Sequence, residues 1–136
     1  MGTSNRTAFV TGSGRKIGRA VVLDLAKRGC NVIVNGSSNK KACESVAAEA
    51  VELGVEALVA MGDVGDSKAI ACMSAETLER FGTVDILVNN AAIRPPGPFL
   101  EMTDEEWQRV GNTHAYNDQI RFQLRLGSRL QRMPSR

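Results

Sequence analysis

The stretch VTGSGRKIGRA, running from Val10 to Ala20, decides the fold. It lies between an apolar run, TAFVT (7–11), and an amphipathic one, IGRAVVLDLAKRG (17–29), so it reads as a strand, a glycine-rich turn and a helix start. At such a junction, unpaired backbone N–H groups and the positive end of the helix dipole face an anion. Glycine is needed where a Cβ would block the tight turn or the approach of a phosphate, and Gly12 and Gly18 fit those roles. Lys16 stands where the most familiar form of this turn carries another glycine. No Gly-Lys-Ser/Thr follows, which excludes a phosphate-binding loop of the NTPase kind.

Working outward, apolar runs alternate with amphipathic ones. NVIVN (31–35), EALVA (56–60) and VDILV (84–88) read as further strands. NKKACESVAAEAVELG (39–54) reads as a helix with Val46, Ala50 and Leu53 on one face. SKAIACMSAETLERFG (67–82) reads as another, with Asp66 as its N-cap. This βαβαβαβ order implies an α/β fold, a parallel sheet covered by helices on both faces. With right-handed crossovers the leading topology is the Rossmann-like, doubly wound one, with strand order 3-2-1-4. That order leaves 84–88 as an edge although its apolar pattern suits a central strand, so the sheet is expected to be incomplete. IRPPGPF (93–99) is a loop by its prolines, and TDEEW (103–107) is a capping box that opens one more helix.

Beyond Val110 the grammar changes. Alanine and valine supply 27 of the first 110 residues and only Ala115 thereafter, and no lysine follows Lys68. Residues 111–136 hold five arginines against Asp118 alone, whereas residues 1–110 carry 12 basic and 14 acidic side chains. IRFQLRL (120–126) alternates like a strand where the helix begun at Asp104 should still run. The expectation is two segments: 1–110 as a dinucleotide-binding half-domain, and 111–136 as a divergent basic tail, frameshifted or disordered. Five scattered arginines without an aromatic platform give little support for nucleic-acid binding. Cys30, Cys43 and Cys72 lack Cys-x-x-Cys spacing, so neither zinc nor disulfides are expected. The N-terminus has no apolar signal core and no run reaches the ~18 residues of a membrane span, which points to a soluble, cytoplasmic protein.

Three motifs carry a family resemblance: VTGSGRKIGRA, GDV (62–64) and DILVNNAA (85–92). In order and spacing they resemble the short-chain dehydrogenase/reductase family. LVNNAAIRPPGPFLEMTDEEWQRV is similar to the 3-oxoacyl-acyl-carrier-protein reductases in particular. The resemblance spans residues 6–110 and implies roles position by position. Thr11, Gly12, Ser13, Gly14, Arg15, Ile17 and Gly18 would wrap the cofactor phosphates. Asp63 would accept from the adenine amino group, with Val64 beside the ring. Asn89, Asn90 and Ala91 would stabilise the sheet centre and touch the nicotinamide-side ribose, and Ala92 replaces a usual glycine. A basic residue at Lys16 is similar to the pteridine-reductase branch and suits a cofactor with an extra phosphate.

NAD-specific members end the second strand with an acidic residue for the ribose 2′-hydroxyl. Here it ends in Asn35, Gly36, Ser37 and Ser38, with Arg15 and Lys16 nearby, so NADP(H) is preferred over NAD(H). The family reaction transfers a hydride between the nicotinamide and a carbonyl or alcohol. It uses a tyrosine whose pKa is lowered by a lysine four residues on. The one tyrosine, Tyr116, is followed four residues later by Ile120, so no Tyr-x-x-x-Lys exists and no catalytic residue is assigned. The relay asparagine would fall at His114, and Asn112 lies two residues too early. Three readings stay open: the cofactor-binding half of an NADP-dependent reductase, inactive alone; a dinucleotide-binding module or pseudoenzyme that pairs with a complete subunit; or a nonfunctional truncated product. Family members are usually homo-oligomers.

Overall fold

The structure, a computed structural model, describes residues 5–92 and 97–115 together with Ile120 and Leu124. Its elements follow the alternation in the sequence: β1 (Thr7–Val10), α1 (Lys16–Lys27), β2 (Asn31–Gly36), α2 (Lys40–Glu52), β3 (Ala57–Met61), α3 (Ser67–Phe81) and β4 (Ile86–Val88). A single 3-10 turn at Phe99–Glu101 leads into α4 (Asp104–Ala115). All strand pairs are parallel and the order is β3-β2-β1-β4, as the alternation requires.

Strand parity divides the core in two. Ala8, Val10, Val32 and Val34 face α1 and α2, where Val22, Ala26, Cys43, Val46 and Ala50 are buried against them. Phe9 and Ile33 face the other way, toward Ile70, Met73 and Leu78 of α3. The apolar positions of α1 and α2 recur three or four residues apart, so each helix buries one stripe and leaves its charges in water. Leu53 departs from expectation. It caps the C-terminus of α2 and is exposed, and Cys43, one turn before Val46, takes the buried place on that face.

Asp66 caps α3 as its sequence signal implies, and Asn39 caps α2. The Asp66 carboxylate accepts from the Lys68 N–H at 2.9 Å, and the Asn39 side chain accepts from Ala42 N–H at 3.1 Å. The capping box is reciprocal: Thr103 Oγ1 accepts from Glu106 N–H, and Glu106 Oε2 accepts from Thr103 N–H. The fourth strand is shorter than its apolar run, because Asp85 turns its carboxylate to the Thr7 N–H at 2.9 Å and Val84 packs into the α3-side core.

A correction concerns the tail. Residues 120–126 were expected to alternate as a strand, yet Ile120 and Leu124 are both helical. They are 1% and 4% exposed and pack into the core formed by Phe9, Ile33 and α3. Apolar residues four apart satisfy a helix face as well as a strand face, and burial against the open side of the sheet selects the helix. Residues 111–115 belong to α4, and Tyr116 with the rest of the tail other than Ile120 and Leu124 lies outside the described residues.

Candidate cofactor site

The site forms at the carboxyl ends of the strands, where the chain leaves β1 and turns into α1. Gly12 has φ +59°, a conformation glycine adopts without cost, and a Cβ there would stand 2.9 Å from Ala91 Cα. Gly18 is held by contact on the inner face of α1. A Cβ would fall on the Gly12 carbonyl oxygen and within 2.7 Å of both Asn90 Nδ2 and Ser13 Cα. Helix and loop can therefore meet only through glycine. Lys16, the first residue of α1, has φ +52°, so the position that more commonly holds glycine keeps a glycine-like backbone while carrying a side chain.

Several of the expected site residues make hydrogen bonds inside the protein, among them Asn90, for which a stabilising role is expected. Thr11 is buried, and its Oγ1 accepts from the N–H groups of Asn90 and Ala91, both at 3.0 Å. The Asn90 amide donates to the carbonyls of Thr11 and Gly12. Together they lock the end of β4 to the glycine turn. Ser13 is also buried. Its hydroxyl donates to the Val10 carbonyl, and its N–H donates to Asn35 O at 2.7 Å. Asn35 is buried as well, and its side-chain oxygen accepts from Gly12 N–H. Val64 lies in the α3-side core. These groups fix the shape of the site.

The outward-facing set is different. Arg15, Lys16 and Ile17 are exposed at the start of α1, Gly14 is half-buried between them and α2, and no acidic residue stands in the first turn. Arg19, one turn on, is tied to Glu49 of α2 at 2.6 Å. Ser37 and Ser38 are exposed just past β2 with no carboxylate beside them in sequence. The exposed Asp63 accepts from Gly65 N–H at 2.8 Å through Oδ1, which fixes the carboxylate at the start of the loop. Asn89 and Ala92 are exposed past β4. A cavity of about 350 Å³ opens between Asp63 and Gly65 on one side and the Glu105–Thr113 face of α4 on the other.

The cradle therefore fits a dinucleotide: backbone N–H groups and two cations where phosphates would lie, and an oriented carboxylate at the far end. Sequence reasoning missed Cys43. Its sulfur would stand 2.6 Å from a Cβ at Gly36 and 3.0 Å from one at Gly14, so the thiol is the floor of the loop and of the β2 turn. Burial, with the Glu44 charge added, pushes this thiol above its ordinary value. Among the described residues no group of His, Cys, Asp and Glu is placed to hold a metal ion, and no helix is long and apolar enough to cross a membrane.

Comparison with known proteins agrees with this geometry. Residues 6–116 match the family model described as short chain dehydrogenase. The 3-oxoacyl-acyl-carrier-protein reductase FabG of Staphylococcus aureus is 37% identical over 109 residues, 80% of this chain and 44% of the relative. Versicolorin reductase 1 of Aspergillus parasiticus is 40% identical over 105 residues, 77% of this chain and 40% of the relative. Among solved structures, L-sorbose reductase from Gluconobacter frateurii, complexed with NADPH and L-sorbose, superposes with TM-score 0.87 at 27% identity. That alignment covers 96% of this chain and 50% of the reductase. The chain thus spans about half the length of the relatives it matches.

Proposed function

Since the chain belongs to the short-chain dehydrogenase family, we propose that it is the NADP(H)-binding part of a carbonyl reductase of that family. The observation that carries the cofactor choice is the rim of the adenosine end. Ser37 and Ser38 are exposed past β2 without a carboxylate, and Arg15 and Lys16 are exposed at the start of α1. An acid at that place would accept from a ribose 2′-hydroxyl and repel a 2′-phosphate, whereas hydroxyls and cations favour the phosphate. The L-sorbose reductase whose fold is similar is complexed with NADPH, which supports the same choice.

In this reading the first-turn N–H groups of α1 hold the pyrophosphate. Lys16 and Arg15, with the two serines, take the 2′-phosphate, and Asp63 accepts from the adenine amino group. Asn89 and Ala92 border the nicotinamide half. The bound cofactor supplies hydride for reduction of a carbonyl; the proton for the product hydroxyl must come from a group such as the family's tyrosine–lysine pair. These 136 residues hold one tyrosine and no lysine after Lys68, so the chain by itself binds without turning over. Titrating the purified chain with NADPH and NADH by fluorescence tests the reading. NADPH is expected to bind more tightly, with no oxidation when 3-oxoacyl thioesters are added. Equal affinities would remove the preference, and absence of binding by either would remove the reading.

A further inference from the structure

We infer that Asn35 is a positioning residue that holds the phosphate end and the adenine end of the site in register, an inference that rests on the dinucleotide reading above. Asn35 lies near the end of β2 and is 1% exposed. Its Oδ1 accepts from Gly12 N–H at 3.1 Å, inside the glycine turn. Its Nδ2 donates to Ala60 O at 2.9 Å and to Gly62 O at 3.2 Å, with Met73 Sδ also 3.2 Å away. Its backbone N–H and C=O are both taken by Ser13. Gly62 immediately precedes Asp63. One buried amide therefore joins the turn that would carry the pyrophosphate to the loop that would read the adenine.

The chemistry explains why asparagine stands there. The site needs one acceptor and two donors on a short stem, and an amide is the group that offers both. The orientation of the amide is set by its partners, because the reverse would place its oxygen against two carbonyls. Aspartate could still accept from Gly12 N–H but would confront the Ala60 and Gly62 carbonyls. An apolar residue of similar size would take the acceptor from the buried Gly12 N–H and the amide donors from the Ala60 and Gly62 carbonyls, a recognised cause of destabilisation. Because Asn35 consumes the Gly12 N–H, that donor is withheld from a ligand, and the phosphate is left to the first turn of α1. Both ends hang from the same side chain, so a ligand at one end stiffens the other, and coupling of this kind is reciprocal.

The test compares whole cofactor with fragments. Adenosine, which lacks the 2′-phosphate, probes only the adenine end and inorganic pyrophosphate only the loop. In Asn35→Asp, NADPH affinity is expected to fall about tenfold while each fragment loses less than about threefold, as for two lost hydrogen bonds that matter only when both ends are engaged. Equal losses for NADPH and for adenosine, or no loss at all, would overturn the inference. Should that variant fail to fold, the unmodified protein decides the matter by hydrogen exchange. Adenosine is expected to slow exchange of the Gly12 amide, and an unchanged rate with the nucleoside bound would overturn the inference. If the unmodified protein binds none of the three ligands, it is the cofactor reading that falls first.

Discussion

Replacing Lys16 by glycine separates two effects that the residue combines. Its backbone has φ +52°, its side chain is exposed, and none of the ion pairs among the described residues uses its ammonium. An L-residue in this region is held at a cost of about 1–2 kcal/mol relative to glycine. Glycine returns about 0.5–1 kcal/mol of that through its greater freedom in the unfolded chain. Lys16→Gly should therefore stabilise the fold by a net of about 0.5–1 kcal/mol, a rise of about 2–5 °C in Tm for a chain of this size. Lys16→Ala keeps the Cβ and should leave Tm where it was. Affinity divides the other way, because both variants lose the charge. An exposed cation beside a 2′-phosphate is worth up to about 1 kcal/mol, so NADPH binding should weaken up to about fivefold in both, with NADH unaffected. Thermal melts followed by circular dichroism and calorimetric titrations read the two quantities. A Tm for the glycine variant no higher than that for the alanine variant would refute the strain argument. Unchanged NADPH affinity in both would refute the role of the charge.

Further outcomes follow from the same contacts. Gly18→Ala should cost about 2–3 kcal/mol in urea unfolding and abolish NADPH binding, because the new methyl meets backbone and a fixed amide rather than a flexible side chain. Leu124→Ala should cost about 2–4 kcal/mol, since the side chain fills the α3-side core; an unchanged urea midpoint would mean that the tail is not part of the folded unit. With Ellman's reagent, exposed Cys72 should react at once, and buried Cys30 and Cys43 only on unfolding. The raised Cys43 pKa also sets a pH dependence. Its contribution to stability is complete below the ordinary thiol value of 9.0 and is lost as pH climbs toward the raised folded value. Urea midpoints above that pH should therefore fall more steeply in the parent than in Cys43→Ala, and parallel curves would contradict the burial argument.

What could be read from the sequence follows from what each signal measures. The order of strands and helices was legible because each apolar run is short and is bounded by glycine or a polar cap, and tertiary packing moved most boundaries by only one or two residues. The glycine turn was legible because Gly12, Gly14 and Gly18 fall between a buried strand and a helix start, the context in which a glycine-rich turn cradles an anion. Asn35 was harder. At a strand end, a polar residue reads alike whether it meets a ligand or the interior. Parity held the missing signal, because Asn35 shares a face with Ile33, and that face packs on α3 and Met73. Thr11 and Asn90 follow the same logic: the resemblance implied a phosphate contact for Thr11 and both a sheet-stabilising role and a ribose contact for Asn90, and the hydrogen bonds they make are those that bind the strand ends to one another. The tail shows where composition misleads. Loss of alanine and valine says that the residue supply has changed, but burial asks only for bulk at the correct spacing. Ile120 and Leu124 supply it. Both are buried in the cluster that Phe9 and Ile33 of the sheet form with α3, with Leu87 packed against it. A segment with foreign composition can thus be drawn into a core whenever the sheet beneath it offers an apolar face, and the Leu124 measurement reads that contribution directly.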